Sequence, residues 1–423
     1  MDNKIKPLQI GFIGAGFAAH SHARALKQVR GLNIQGIFSR SLPGAETLSK
    51  YIQKNGIGEA VIYSSVSEMA NRVDILGIYT PNFARVEAVE EIVDAAAKGA
   101  ELKGIVCEKP LGRNVKEARR LVQLAQDAKL KTAYFENQIF MKPLQKQLQL
   151  LATQQKSLGP PLFVRSMQEH AGPQSSWFWD PAKQGGGVLS DMGCHSIAVG
   201  WYALTPSGES PTFLRPVSIS AECALLKWGL PRWRETLFKA HGVDYEKKPA
   251  EDFATGVITF QNPETGQTVK TQFTNSWMFD KQGVRIFIEA LGPGYAFEFN
   301  SLNSPLEVFI GDEAATSIAD PGMALEKSTA SRGLLTVQFN EPDLYGFTDE
   351  NEDALRSFCS GTDGFLSWSY GLEITKLVMA AYMAAEKGKT IDLTDPVVQS
   401  ELESYIPLIQ QGKGAELLYP YFE

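Results

Sequence analysis

A chain of 423 residues is long enough for two domains, each with its own core, and its 43% hydrophobic and 21% charged residues are ordinary for a globular protein. The formal net charge of −7 comes with no basic run, which argues against nucleic acid and anionic membranes as partners. No apolar stretch reaches the length of a membrane span, the first residues lack the apolar core of a signal peptide, and Cys107, Cys194, Cys223 and Cys359 form no CxxC pair, so the chain reads as cytoplasmic, with reduced thiols and no zinc site.

Residues 8–13 read as a strand, and Gly14-Ala15-Gly16-Phe17-Ala18-Ala19 turns from it into a helix reaching about residue 29. This is a GxGxxA fingerprint in its required context. Gly14 permits the tight turn, Gly16 lets backbone approach a pyrophosphate, Ala19 allows close packing, and the helix N-terminus receives the phosphates, with Phe17 of the same turn counted among the cofactor contacts. The bland alternative is a glycine turn with no ligand. His20 and His22, in the first turns of that helix, read as surface or capping residues. The second strand, 33–38, runs into Ser39-Arg40-Ser41 with no acid before Glu46. An NAD enzyme of this kind places Asp or Glu there. Ser39 and Arg40 can instead hold the 2′-phosphate of NADP, so the expected cofactor is NAD(P), leaning to NADP. The alternative is a solvated arginine beside NAD.

A buried strand over 73–78 ends in Thr80-Pro81-Asn82, a rigid turn whose small polar groups suit the nicotinamide half of a dinucleotide. The next strand, 104–109, ends in Glu108-Lys109-Pro110 and delivers a lysine to the carboxyl edge, where open α/β sheets bind ligands. Lys109 is therefore the candidate catalytic residue, against the alternative of an exposed loop lysine. A helix over 114–129 and a strand over 131–136 continue an alternation that specifies a doubly wound parallel sheet.

A polar helical stretch over 139–155 and the break Lys156-Ser157-Leu158-Gly159-Pro160-Pro161 put the domain junction near 140–160. The expected division is a Rossmann domain over 1–140 and an α+β domain over 141–423, whose C-terminal helices can pack back on the first. Strands over 162–168, 217–226, 253–260, 269–276, 284–291 and 306–310 follow one another largely without helices, which predicts an antiparallel sheet. One helix interrupts them, opened by Gly185-Gly186-Gly187. It sets Asp191 and His195 four apart on one face, where a carboxylate can orient an imidazole as general base. The alternative is a structural hydrogen bond inside a buried helix. Trp177 and Trp179 offer an apolar platform for a sugar face or, equally, a packing role. The stretch 227–250, with Trp228 and Trp233, carries no reading beyond a lid or an interface.

Taken together, the GxGxxA turn, Thr80-Pro81-Asn82, Glu108-Lys109-Pro110, the GGG-x3-D-x-G-x-H run from Gly185 to His195 and the tail from Gly371 to Leu393 resemble the glucose-fructose oxidoreductase and inositol dehydrogenase family (Gfo/Idh/MocA). The resemblance implies a Rossmann domain followed by a large open antiparallel sheet used for oligomerisation, and hydride transfer between nicotinamide and a carbinol of a sugar, cyclitol or sugar derivative. By the same resemblance Lys109 contacts the reacting hydroxyl and the nicotinamide ribose, His195 exchanges the proton, and Asp191 positions both. Glu108 and Asn137 join the cofactor contacts, and a homodimer or homotetramer is expected. Two departures stand out: Phe83-Ala84-Arg85 follows Asn82 where relatives end the motif in histidine, and Asn137-Gln138-Ile139-Phe140 lacks the arginines of relatives, which disfavours an acidic or phosphorylated substrate. A non-catalytic dinucleotide or sugar sensor and a redox-assisted, NAD-dependent glycosidase are the competing readings.

Overall fold

The computed structural model describes residues 7–281, 283–303, 307–310, 333–336 and 340–419. The chain forms two compact units, one of residues 1–142 and 342–375, the other of residues 143–341 and 376–423.

In the first unit strands and helices alternate: β1 (Leu8–Ile13), α1 (Phe17–Leu26), β2 (Leu32–Phe38), α2 (Leu42–Lys54), β3 (Val61–Ile62), α3 (Val66–Ala70), β4 (Ile75–Ile78), α4 (Arg85–Ala97), β5 (Gly104–Glu108), α5 (Val115–Asp127) and β6 (Thr132–Phe135). They make one parallel sheet in the order β3-β2-β1-β4-β5-β6. Every residue of β4, β5 and β6 is buried, which is why these strands are unbroken apolar runs in sequence. The strand order reverses direction at β1 and β4, so the ends of these two strands mark the switch point of the sheet. The caps differ along the unit. Ser41, Ser65 and Asn114 each accept a backbone N–H at the start of α2, α3 and α5, whereas α1 has no side-chain cap.

Residues 342–375 complete this unit from the far end of the chain. Ala354 and Phe358, on the helix Phe347–Cys359, belong to the same core as Ile10, Ile34 and Val106. A Cβ on Gly104 would lie 2.6 Å from the Phe358 ring, so β5 begins on a glycine because that ring occupies the space. Burying a phenylalanine contributes roughly 1.5–3 kcal/mol. The Trp368 indole donates to the Ala133 carbonyl at 3.1 Å, and the Thr132 N–H to Asp363 at 2.7 Å.

The second unit follows α6 (Lys142–Leu158), which starts later than the sequence pattern suggests because a 3-10 turn occupies Asn137–Phe140. Its elements are β7 (Phe163–Glu169), α7 (Pro181–Gln184), α8 (Cys194–Leu204), β8 (Arg215–Ala224), α9 (Pro231–His241), β9 (Phe253–Gln261), β10 (Thr268–Ser276), β11 (Arg285–Gly292) and β12 (Tyr295–Asn300), with β13 (Glu307–Ile310) and β14 (Gly333–Thr336) pairing apart and β15 (Ile391–Asp392) closing an edge. Leu306, expected in a strand, lies outside the described residues. The large sheet runs β12-β11-β7-β10-β9-β8-β15, and it is mixed rather than purely antiparallel: β7 pairs parallel with β10. Hairpins β9–β10 and β11–β12 are local, but β7 enters between them from about a hundred residues earlier, and its direction is set by that insertion. The apolar helix α8 lies against β7, β10 and β11. Among the described residues no helix is long and apolar enough to cross a membrane.

Candidate functional site

The carboxyl edge of the parallel sheet begins with the glycine turn. Gly14 has φ +110°, and a Cβ there would lie 2.7 Å from the Tyr79 carbonyl oxygen, so neither the backbone nor the space admits a side chain. Gly16 is the opposite case: a Cβ there meets nothing within 4 Å. Since α1 starts at Phe17 with no side-chain cap and no acid in its first turn, its leading N–H groups and the positive end of its dipole are left to an anion. Phe17 is exposed, and Ala19 is packed at 0% exposure. At the end of β4 the Thr80 hydroxyl is buried with no partner among the described residues, and Asn82 is buried beside it in sequence. An open backbone, an uncapped helix end and an orphaned hydroxyl fit a dinucleotide.

Beyond β2, Ser39 Oγ accepts the Ser41 N–H at 3.2 Å. Arg40 Nη2 lies 2.5 Å from Glu87 Oε2, both side chains being exposed. The acid that the sequence around Ser39 lacks thus comes from α4. An exposed pair of this kind is worth less than about 1 kcal/mol.

Lys109 leaves β5 half-buried, its backbone held on both sides. Its carbonyl accepts from Arg85 Nη2 at 3.0 Å, and its N–H donates to Glu108 Oε2 at 3.0 Å. Arg85, which stands where the resemblance leads one to expect a histidine, is itself buried. The other Glu108 oxygen is 2.8 Å from His22 Nε2. Burial works to raise the Glu108 carboxyl, but the His22 hydrogen bond and the charges of Lys109 and Arg85 outweigh it and hold it below the usual carboxylate range. His22 corrects the surface reading given above: it is 0% exposed, its ring lies between Tyr79 and Phe135 at centroid distances of 4.6 and 4.9 Å, and Asn351 Nδ2 stands 2.8 Å from its Nδ1. Nothing local in α1 announces this, since the partners are 86 and 329 residues away. Asn137 is buried, and its amide donates to the Tyr345 carbonyl at 2.6 Å, anchoring the C-terminal piece of this unit.

In the second unit the run Gly185–Gly187 is followed by a π turn over Leu189–Gly193, which leads into α8; the expectation of one regular helix is corrected there. The glycines are required by what surrounds them. A Cβ on Gly186 would sit 1.9 Å from the Tyr382 hydroxyl, and one on Gly187 would sit 2.2 Å from the Glu251 carbonyl. The Glu251 side chain accepts the N–H of Gly187 and Leu189 at 3.0 and 2.9 Å and the Tyr382 hydroxyl at 2.6 Å. Burial raises the Glu251 carboxyl to about 7 against the pull of those donors. Asp252, also fully buried, accepts the N–H of Leu226 and Trp228, both at 2.7 Å, and so fastens the start of the 227–250 stretch.

Asp191 and His195 are both buried. Asp191 Oδ2 accepts the Trp277 indole N–H at 3.2 Å and stands 3.4 Å from His170 Nε2. His170 was not singled out in sequence. Because its Nδ1 accepts the Gly172 N–H at 3.0 Å, its ring proton sits on Nε2, toward Asp191. Trp179 is 1% exposed and packs with Trp228, Trp277 and Tyr245, while Trp177 is half-buried and stacked on Phe178.

Residues 8–135 match the oxidoreductase family with an NAD-binding Rossmann fold, and residues 151–290 match the GFO/IDH/MocA C-terminal domain. Glucose-6-phosphate 3-dehydrogenase of Bacillus subtilis is 24% identical over 197 residues, 46% of this chain and 53% of that protein. 1,5-Anhydro-D-fructose reductase of Ensifer adhaerens is 26% identical over 187 residues, 44% of this chain and 53% of that one. The chain thus matches about half the length of these curated relatives. In fold it is similar to GenD2 from gentamicin A biosynthesis in complex with NAD, with a TM-score of 0.72 at 18% identity over 93% of this chain and 98% of that one. It is also similar to scyllo-inositol dehydrogenase from Lactobacillus casei with bound NAD(H) and scyllo-inositol, with a TM-score of 0.63 at 18% identity over 92% of this chain and 100% of that one. With the two family matches together covering more than half of its residues, the chain belongs to the Gfo/Idh/MocA oxidoreductase family.

Proposed function

We propose that the chain is an NAD(P)-dependent dehydrogenase or reductase acting on a carbinol of a sugar, cyclitol or sugar derivative. The observation that carries this reading is the carboxyl edge of the first unit, where an open Gly16 before an uncapped helix shares the sheet edge with a lysine held by its own backbone bonds. A bound dinucleotide supplies the nicotinamide that accepts or returns hydride. The chain's own residues do the rest. The N-terminus of α1 holds the pyrophosphate, with Thr80 and Asn82 offering polar groups to the nicotinamide half. Lys109 contacts the reacting hydroxyl and the nicotinamide ribose. His195 takes the hydroxyl proton during oxidation and gives it back in reduction. Asp191, turned by the Trp277 N–H, positions substrate and histidine.

Turnover with myo-inositol, scyllo-inositol, glucose 6-phosphate and 1,5-anhydro-D-fructose, followed by nicotinamide absorbance with NAD and NADP in both directions, tests the reading. Lys109→Ala and His195→Ala are each expected to lower kcat by about 10²- to 10⁴-fold with dinucleotide binding kept. Near-normal turnover in both variants sinks the assignment.

For the cofactor, Ser39 and Arg40 support NADP, but Arg40 must leave Glu87 to meet a 2′-phosphate. The NADP preference is therefore expected to stay below about tenfold, under the gain of an unopposed charge-assisted contact. Arg40→Ala abolishes it and Glu87→Gln enlarges it; a titration in which neither variant moves the ratio refutes the role. We also propose that the second unit assembles with further copies of itself through the large sheet, whose residues Met167, Val257 and Phe287 stay half-exposed on alternate positions of their strands. Light scattering that gives a monomer at micromolar concentration contradicts this.

A further inference from the structure

We infer that His22 is a positioning residue for Lys109, acting through Glu108; the inference rests on the reading of Lys109 given under the proposed function. The Asn351 amide has two N–H groups, one donated to the Phe347 carbonyl at 2.7 Å and the other to His22 Nδ1 at 2.8 Å. Turning that amide over would set its oxygen against the Phe347 carbonyl, so Nδ1 must accept and the ring proton belongs to Nε2. Nε2 then donates to Glu108 Oε1 at 2.8 Å, and Glu108 Oε2 accepts the Lys109 N–H at 3.0 Å. The result is one directed chain of donors from the helix Phe347–Cys359, through α1, to the residue that ends β5. Tyr79 and Phe135 flank the imidazole, with Phe347 edge-on, and set the plane of the ring, while the hydrogen bonds at its two nitrogens select which way it faces. Glu108 is thereby fixed at both oxygens, and the point at which Lys109 departs from the sheet is set by residues far from it in sequence.

The same side chains invite a rival reading. Donor atoms of His22, Glu108 and Glu350 lie within 4.8 Å of one another, and both Glu350 oxygens are buried without a hydrogen-bond partner among the described residues, as at a cation site. A metal on His22 Nε2 needs the ring proton on Nδ1, and the Asn351 N–H already points there. Glu350 is instead suited to the neutral acid, since burial and the neighbouring Glu108, Glu136 and Asp353 carboxylates push it well above the usual range.

The test uses the full chain with the sugar or cyclitol of the four above that gives the highest rate. With five histidines in the sequence, ring-nitrogen NMR of histidine-labelled protein can single out His22 by loss of its signal in His22→Phe. The expected signature is a protonated Nε2 and a bare Nδ1. His22→Phe keeps the aromatic stack and removes both nitrogens; kcat is expected to fall about 10- to 100-fold, the effect of misplacing a reacting group by up to about an ångström, while KM for the dinucleotide moves less than about threefold. His22→Gln, which restores a donor at the Nε2 position, should recover most of the loss, and His22→Phe should add little in a Glu108→Gln background because the two act in series. If His22→Phe does not fold, Asn351→Leu tests the chain one link farther out, with a fall in kcat alone expected. Unchanged kcat in the folded variants, a fall that Gln does not repair, an unprotonated Nε2, or a stoichiometric metal in the purified protein overturns the inference. Should Lys109→Ala itself keep full turnover, the parent reading has failed and this one falls with it; should Lys109→Ala be inactive while His22→Phe is not, only this one has.

Discussion

Each unit starts a key helix from a glycine run, and the two runs do opposite things. At Gly14-Ala15-Gly16 one glycine is closed in by the Tyr79 carbonyl and the other faces open space, and among the described residues α1 begins with no side-chain cap. At Gly185–Gly187 the space is filled by Tyr382 and Glu251, and the chain's own buried carboxylate takes the N–H groups ahead of Asp191. The first run leaves a helix terminus to an anionic ligand; the second supplies a carboxyl acceptor from inside. Glycine in the first case makes room for something that arrives, and in the second for something already there. The comparison separates binding from stability, and substitutions at the two runs should therefore fail in different assays.

The largest effect is expected at Gly187→Ala, whose Cβ would press on backbone 2.2 Å away. A loss of about 3 kcal/mol, at the upper end for overpacking, should appear as a lowered denaturation midpoint. A variant of wild-type stability would show that the turn can shift, and that the two runs are less different than their surroundings suggest. Next comes Gly16→Val. The backbone there is extended and the space open, so stability should fall by less than about 1 kcal/mol, whereas dinucleotide affinity should drop about 100-fold, close to 3 kcal/mol. Calorimetry showing intact affinity would remove the ligand from that helix end.

The third prediction sharpens the comparison through pH. The Glu251 carboxyl is raised in the fold from an ordinary 4.5 to about 7, so the folded chain holds that proton more tightly than the unfolded one. The stability it contributes is fully present below pH 4.5, declines as pH rises toward 7, and is level above that. Between pH 5 and 8 wild type should lose about 2 kcal/mol relative to Glu251→Gln, which does not titrate. Parallel pH profiles for the two proteins would mean that the donors from Gly187, Leu189 and Tyr382 keep Glu251 ionised throughout. Among the described residues the first glycine run has no such internal carboxyl, and its pH response should follow the ligand instead.

Much of the first unit was legible because its signals are local. Strand, glycine turn and helix follow one another within twenty residues at Gly14, and buried parallel strands such as β5 announce themselves as apolar runs. The two-residue β3 is too short to show a period. In the second unit the strands were visible but the β7–β10 direction was not, because parallel pairing across about a hundred residues leaves no periodic trace. The π turn escaped for a related reason: a one-residue shift in helical pitch does not alter an apolar pattern that is buried all round. Lys109, Asp191 and His195 stood out through their motifs. His22, His170 and Glu251 did not, since each is given its meaning by a partner that only folding brings near.

The division of the first unit between the two ends of the chain bears on how the protein is made. At roughly 5–20 residues per second, a ribosome that has released His22 needs roughly 15 to 65 s more to deliver Asn351, 329 residues later. During that interval the nascent sheet lacks Ala354, Phe358 and Trp368, and its histidine lacks the amide that assigns its proton. The nucleotide-binding half, although encoded first, is completed only after residues 143–341 of the second unit have been made, and a product stopped short of residue 342 carries the fingerprint without the helix that completes its core.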